Sequence, residues 1–125
     1  MDQKEIKISV IIPAYNTAEY MDECMQSVLS QTLQEIEIIC VDDESTDGTL
    51  EILRRYESAD ERVHVIAKQH SMIGETRNTG IDAAVGKYIY FMDSDDYLKE
   101  DGALEKMYML AEEKELDVLF KNGTR

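Results

Sequence analysis

The apolar run Tyr88-Ile89-Tyr90-Phe91-Met92 ends directly in the acidic turn Asp93-Ser94-Asp95-Asp96. A continuous apolar run of this length is typical of a strand buried on both faces, as in a parallel sheet. Carboxylates this crowded repel one another unless a cation lies among them, and oxygen ligands suit Mg²⁺ or Mn²⁺. An isolated Asp-x-Asp is more often a turn or a helix cap. The interpretation therefore depends on what precedes this turn.

Apolar runs and segments of helical periodicity alternate along the chain, because apolar residues three and four apart mark one buried helix face. Strands are predicted over residues 6–12, 36–41, 63–67 and 88–92, and a fifth begins at residues 118–120. Helices are predicted over residues 18–31 and 73–84. Two further helices have inner faces marked by Leu50, Leu53 and Tyr56 and by Leu104, Met107, Leu110 and Ala111.

Two residues are expected to end elements. Pro13 cannot donate a ladder hydrogen bond and is predicted to end the first strand. Gly86 is predicted to end the third helix. Strands that alternate with helices indicate the α/β class, here a three-layer open, mostly parallel sheet with Rossmann-like crossovers. We expect residues 1–125 to form a single domain.

Polar clusters follow the predicted strands, and in open sheets of this kind the ligand crevice lies beyond the carboxyl ends of the strands. We therefore expect four segments to converge on one edge: Pro13-Ala14-Tyr15-Asn16, Asp42-Asp43, Lys68-Gln69-His70 and Asp93-Ser94-Asp95. His70 could touch a ligand there, whereas His64 is expected to be solvated.

Each cluster also has a purely structural explanation. Asp42 and Asp43 could satisfy loop and helix-terminus amides, a role that Asp47 could perform for the second helix. Lys68 and Arg77 are the basic residues best placed for an anion, although a helical Arg is more often a surface residue, here paired with Glu75 or Asp82.

Composition narrows the choice of ligand. The chain has 27 acidic and 13 basic residues and a formal charge of −14, which argues against a nucleic-acid or anionic-membrane binder. An anionic ligand would then need a metal cation. No signal peptide is recognised, no apolar run approaches the ~18 residues of a membrane span, and Cys24 and Cys40 fall at apolar positions of regular elements. These features predict reduced core cysteines and a cytoplasmic location.

Taken in order, the segments resemble the nucleotide-binding half of an inverting family 2 glycosyltransferase with the GT-A fold. The matching stretches begin with Ile8-Ser9-Val10-Ile11-Ile12-Pro13-Ala14-Tyr15-Asn16, Ser27-Val28-Leu29-Ser30-Gln31-Thr32 and Val41-Asp42-Asp43-Glu44-Ser45-Thr46-Asp47-Gly48-Thr49. They continue with Arg77-Asn78-Thr79-Gly80, Gly86-Lys87-Tyr88-Ile89 and Phe91-Met92-Asp93-Ser94-Asp95-Asp96. Each motif alone is weak, but the ordered set is highly specific.

The resemblance implies a role for each matching position. Pro13, Ala14 and Tyr15 flank the uracil of a UDP-sugar and Asp43 hydrogen-bonds the base, while Lys68, Arg77 and Ser94 belong to the same nucleotide site. Asp93 lies by the ribose and the metal, and Asp95 coordinates Mn²⁺ or Mg²⁺ bound to the diphosphate. The implied partners are a nucleotide-sugar donor and a saccharide or lipid-linked acceptor, with transfer to an acceptor hydroxyl in bacterial surface polysaccharide synthesis.

The sequence departs from the family pattern at three places. Glu44 stands where Gly is usual, and Met72 and Thr76 stand where Gly and Ala are common. The catalytic base of the family lies beyond the fifth strand, so we expect the base beyond residue 125 and only donor and metal binding within these residues. The alternatives are a phosphoacceptor receiver domain, which carries its acidic pair after the first strand rather than the second, and a non-catalytic nucleotide-binding module.

Overall fold

The computed structural model describes residues 5–69, 73–115 and 118–119, which form one parallel sheet with helices between its strands. The strands are β1 (Ile8–Ala14), β2 (Ile36–Asp43), β3 (Val63–Lys68), β4 (Tyr88–Phe91) and β5 (Val118–Leu119). The helices are α1 (Ala18–Leu29), α2 (Thr49–Ala59), α3 (Ile73–Ala83) and α4 (Ala103–Lys114). The strand order is β3-β2-β1-β4-β5, and every pairing is parallel. The predicted fold class is confirmed.

Helices lie on both faces of the sheet, as the three-layer prediction requires. Alternate residues of β1 (Ile8, Val10 and Ile12) join the main core with apolar residues of α1, α2 and α4, among them Met21, Leu53 and Leu104. The other face of β1 and β2 packs against α3, where Gly80 lies against Ile11. Strands covered on both faces explain why the sequence shows continuous apolar runs instead of alternation.

Pro13 does not end β1, because the strand continues through Ala14 with Pro13 opposite Val41. The backbone N–H of Met92 donates to the carbonyl oxygen of Ile11 at 3.0 Å, so Ile11 faces β4. Pro13 lies two residues further on and therefore faces the same side, where β4 has already ended at Phe91. The prediction was wrong because the missing N–H of a proline costs nothing where no neighbouring strand would accept it.

Several predicted helix limits and faces also differ. α1 ends at Leu29, two residues before the predicted end. Gly86 lies beyond the end of α3 at Ala83, and a Cβ on Gly86 would overlap the backbone of Ser9, so this glycine permits close approach to β1. Leu110, assigned to the inner face of the fourth helix, is 48% exposed. His64 is exposed, and both cysteines are buried and form no disulfide, as predicted.

A buried carboxylate holds the chain that returns from α3 to β4. Glu37 on β2 accepts hydrogen bonds from the Ser9 hydroxyl at 2.5 Å and from the Val85 N–H at 2.7 Å. The Gly86 N–H donates in turn to the Ser9 hydroxyl at 2.8 Å. These bonds lie at the amino ends of β1 and β2 and anchor residues 85 and 86 there.

None of the helices in the described ranges is long and apolar enough to cross a membrane.

Substitution of Gly80 by Ala tests how tightly α3 packs on the sheet. In an open helix interior this change stabilises by about 1 kcal/mol, but here the added Cβ would overlap Cγ2 of Ile11. Overpacking costs about 1–3 kcal/mol, so we expect Gly80→Ala to lower the free energy of unfolding in urea by about 1 kcal/mol. In an Ile11→Ala background, where the methyl is absent, the same change should raise it. A stabilising effect in the unaltered chain would contradict this packing.

Candidate functional site

The carboxyl ends of the strands gather most of the sequence-predicted site residues along one edge. Lys68, the last residue of β3, lies directly beside Asp43, the last residue of β2. Ala14, the last residue of β1, lies beside Asp42, one residue earlier on β2. Asp93 lies two residues beyond the end of β4. The expected convergence of the strand ends is confirmed for these residues, whereas His70 lies outside the described residues.

Three side chains hold the acidic turn against α1: Thr17 directly precedes this helix, and Cys24 and Ser27 lie on it. The Thr17 hydroxyl donates to the Ser94 hydroxyl at 2.8 Å, and the Cys24 thiol lies 3.9 Å from the Asp93 carbonyl oxygen. The Leu98 N–H donates to the Ser27 hydroxyl at 2.9 Å. α1 therefore fixes the turn along its length, from Asp93 to Leu98.

Two of the three carboxylates in this turn face solvent, and the third does not. Asp93 and Asp95 are exposed, whereas Asp96 is only 8% exposed and accepts a hydrogen bond from the Tyr97 N–H at 2.8 Å. Below them, burial together with the charges of Asp96 and Asp93 raises the pKa of Tyr90, which keeps this residue neutral. The turn therefore presents the carboxylates of Asp93 and Asp95 to solvent.

Arg77 of α3 reaches the acidic turn. Its guanidinium Nη2 lies 3.9 Å from Oδ1 of Asp93, with side chains 44% and 69% exposed respectively. The alternative partners Glu75 and Asp82, considered from the sequence, are not the ion pair that the structure describes. An exposed ion pair at this distance contributes little to stability. Either side chain can therefore leave the pair and bind a group of a ligand at a small cost in free energy.

The acidic pair of β2 is more buried than an open ligand edge would be. Asp42 is 1% exposed, and its Oδ2 accepts a hydrogen bond from the Ser45 N–H at 3.1 Å. Asp43 is 6% exposed and alternates to the opposite face, the one that Lys68 and α3 share. Asp42 thus holds the loop after β2, the structural role considered for it from the sequence. Asp43 exposes only a small part of its side chain to a ligand, beside Lys68.

The loop after β1 offers one exposed aromatic side chain. Tyr15 is 48% exposed, whereas Ala14 is 2% exposed and belongs to the main core. Ser94 is 5% exposed and bonded to Thr17. Side-chain contact with a ligand is therefore open to Tyr15, while Ala14 and Ser94 can reach a ligand only through their backbone; their roles as nucleotide contacts, like that of Pro13, stay predictions.

Sequence inspection missed the bonds that join the two loops at this edge. The Asn16 side chain bonds to the loop after β2, and Asp47 in that loop accepts a hydrogen bond from the Ala18 N–H at 3.2 Å. The predicted role of Asp47 at α2 is confirmed by its bond from the Thr49 N–H at 2.9 Å. The Thr49 hydroxyl also donates to Asp47. This bond is the main reason why the pKa of Asp47 is lowered, and the backbone N–H bonds add to it.

The donor set fits a divalent cation that also binds a ligand. Within residues 5–69, 73–115 and 118–119, no three His, Cys, Asp or Glu side chains converge to form a complete metal cage. Mg²⁺ and similar cations are commonly held by one or two carboxylates together with substrate phosphates and waters. Asp93 and Asp95, both exposed on one turn, match that incomplete arrangement.

Comparison with known proteins gives a consistent family. The model of the family described as "Glycosyl transferase family 2" matches residues 9–122. Glycosyltransferase GlyG of Streptococcus pneumoniae is 43% identical over 116 residues, which cover 92% of this chain and 38% of the relative. The poly(ribitol-phosphate) beta-glucosyltransferase of Bacillus spizizenii is 42% identical over 90% of this chain and 18% of its own length.

A solved structure agrees with the sequence relatives. The crystal structure of S. aureus TarS 1-349 in complex with UDP-GlcNAc superposes with a TM-score of 0.77 at 33% identity, covering 86% of this chain and 31% of that one. The chain thus spans less than two fifths of the length of these three proteins. The family model, the sequence relatives and the solved structure agree, and the chain belongs to glycosyl transferase family 2.

Proposed function

We propose that the chain binds the nucleotide-sugar donor, a UDP-sugar, of a glycosyltransferase that transfers the sugar to an acceptor hydroxyl with inversion. The observation that carries the proposal is the edge at which Asp43, Lys68, Arg77 and the exposed carboxylates of Asp93 and Asp95 meet. This edge offers one carboxylate acceptor for the base, two cations for a diphosphate and two metal ligands.

The named relatives support this donor class and point to the acceptor. TarS was crystallised with UDP-GlcNAc, and the Bacillus spizizenii relative is a poly(ribitol-phosphate) beta-glucosyltransferase. We infer a saccharide or lipid-linked acceptor in bacterial surface polysaccharide synthesis, with the reaction on the cytoplasmic side. A receiver domain finds no support, because the acidic pair ends the second strand, not the first, and the family model covers residues 9–122.

Electrostatics make a metal cation necessary for this ligand. The chain carries a formal charge of −14, and a phosphate next to Asp93 and Asp95 would meet two negative groups. Like unit charges 4 Å apart repel by about 4 kcal/mol at an effective dielectric constant of 20. Lys68 and Arg77 offset part of this repulsion, and a bound Mn²⁺ or Mg²⁺ changes its sign.

The residues divide the work of donor binding. Asp95, with Asp93 beside it, would hold the cation, which when bound stabilises charge that develops on the departing diphosphate. Arg77, now 3.9 Å from Asp93, would turn its guanidinium to a phosphate once Asp93 faces the cation. Tyr15 would cover one face of the uracil, and Asp43 would accept the N–H of its ring edge.

Binding of UDP is expected to depend on Mn²⁺. We predict by calorimetry that the chain binds UDP at least about tenfold more tightly with Mn²⁺ than in EDTA, which corresponds to about 1.4 kcal/mol. The reason is the repulsion between the diphosphate and the acidic turn. Equal affinity in EDTA would exclude the metal bridge, and tighter binding of acetyl phosphate with Mg²⁺ than of UDP would favour a receiver.

Asp95 and Asp43 should fail in different ways when each carboxylate is replaced by an amide. Asp95→Asn should remove most of the Mn²⁺-dependent affinity for both UDP and CDP. Asp43→Asn should mainly reduce the preference for UDP over CDP, because an amide can donate to the ring nitrogen of cytosine where a carboxylate only accepts.

Glu113→Gln is the matched control for that pair of variants, since it also removes one exposed carboxylate but lies on α4. Its affinity for UDP with Mn²⁺ should equal that of the unaltered chain. If Asp95→Asn and Asp43→Asn lost UDP and CDP binding equally while circular dichroism showed both folded, the assigned roles would be wrong.

A further inference from the structure

Asn16 joins the two loops that border the proposed base pocket. Its Oδ1 accepts hydrogen bonds from the backbone N–H of Thr46 at 2.7 Å and of Asp47 at 3.4 Å. The backbone N–H of Asn16 donates to the Ser45 hydroxyl at 2.9 Å. We call Asn16, Ser45, Thr46 and Asp47 the interloop clasp. In this clasp, both the backbone N–H and the side-chain oxygen of Asn16, in the loop after β1, bond to the loop after β2.

The backbone has an uncommon conformation at one residue of the clasp, Asn16, and at the residue directly before Ser45, Glu44. Asn16 has φ 51° and Glu44 has φ 58°, in the left-handed region that Asn tolerates better than most other residues. Each of these residues directly follows a group assigned to the base, Tyr15 and Asp43. The left-handed turns therefore set the direction in which the chain leaves both predicted contacts.

The clasp also reaches the metal side of the site through α1. The Thr17 N–H donates to the Thr49 hydroxyl at 3.0 Å and the Ala18 N–H to Asp47 at 3.2 Å. The Thr17 hydroxyl then bonds to Ser94 in the acidic turn. One connected set of hydrogen bonds thus runs from the loop after β2, across the start of α1, to the residue between Asp93 and Asp95.

Asn16 is exposed, and the two loops that its bonds order border the ligand edge. Fixing one residue of a flexible loop costs about 1–2 kcal/mol of conformational entropy. A loop that is already ordered does not lose that entropy when a ligand binds, and so binds more tightly. Order in these two loops therefore favours the binding of a ligand at this edge.

We propose that Asn16 is a positioning residue for base recognition: through the interloop clasp it holds Tyr15 and Asp43 at the separation that a pyrimidine ring requires. The inference rests on the proposed function, since it names how the same site reads its base. Asn16 itself need not touch the donor. Its carboxamide oxygen and its left-handed backbone are the two properties that the role requires.

Two substitutions separate these properties. Asn16→Gly keeps the left-handed backbone accessible but removes the oxygen acceptor. Asn16→Asp keeps both an oxygen acceptor and tolerance of positive φ. We expect Asn16→Gly to weaken UDP binding with Mn²⁺ by about tenfold, the effect of ordering roughly one more loop residue on binding. Asn16→Asp should stay within about threefold of the unaltered chain.

The decisive readout is base selectivity, which a loss of stability alone would not change. The ratio of the UDP and CDP dissociation constants should approach one in Asn16→Gly and be restored in Asn16→Asp. Tyr56→Phe is the matched control, because the Tyr56 hydroxyl also links α1 to α2 by donating to Asp22 at 2.7 Å and accepting from Gln26 at 3.2 Å. This variant loses comparable bonds away from the site and should retain the full base preference.

The outcomes separate this inference from the proposed function. Loss of base preference in Asn16→Gly, with preference retained in Asn16→Asp and Tyr56→Phe, supports the positioning role. Unchanged preference in Asn16→Gly, or an equal loss in Tyr56→Phe, overturns it while the proposed function stands. If the unaltered chain binds neither UDP nor CDP with Mn²⁺, the proposed function fails and the inference fails with it.

Discussion

The parallel pairing of β1 with both β2 and β4 is the constraint on which the site depends. Because all strands point the same way, the chain must leave β1, β2, β3 and β4 at one edge. Hydrophobic burial on both faces sets the register that places Asp43 beside Lys68. Charged side chains that would lack hydrogen-bond partners in the middle of the sheet can reach solvent or partners at and beyond the ends of its strands. The same apolar runs that form the core therefore bring the chemistry of the site together.

Charge is distributed unevenly at this edge, and that distribution explains the proposed need for a cation. Asp93 and Asp95 are exposed on a turn that two residues of α1 and the residue before it hold in place. Rigid, solvent-facing carboxylates are poor places for a phosphate and good places for a divalent metal ion. Arg77 lies close enough to Asp93 to balance it before a ligand arrives, and the weakness of such an exposed pair leaves the guanidinium available to a phosphate.

Sequence patterns predicted the features that depend on residues close together in the chain. Continuous apolar runs located the strands, three- and four-residue spacing located the helices, and polar residues after strand ends located the edge. The end of β1 at Pro13 was predicted wrongly because it depends on where a different strand, β4, ends. The partner of Arg77 and the bond from Thr17 to Ser94 join residues far apart in the chain. Periodicity does not report such contacts, and the left-handed turn at Asn16 leaves a signal only in its residue type.

Paramagnetic broadening by Mn²⁺ in the presence of UDP tests the central claim most directly, with Mg²⁺ as the diamagnetic reference. The account predicts that substoichiometric Mn²⁺ first broadens the amide resonances of residues 93–96 and of Arg77, and that UDP sharpens this selectivity. The acidic run at residues 112–115 is the internal comparison, because Glu112 pairs with Lys87 at the opposite, amino end of β4. Broadening centred on residues 112–115, or broadening of the acidic turn that UDP leaves unchanged, would contradict the account.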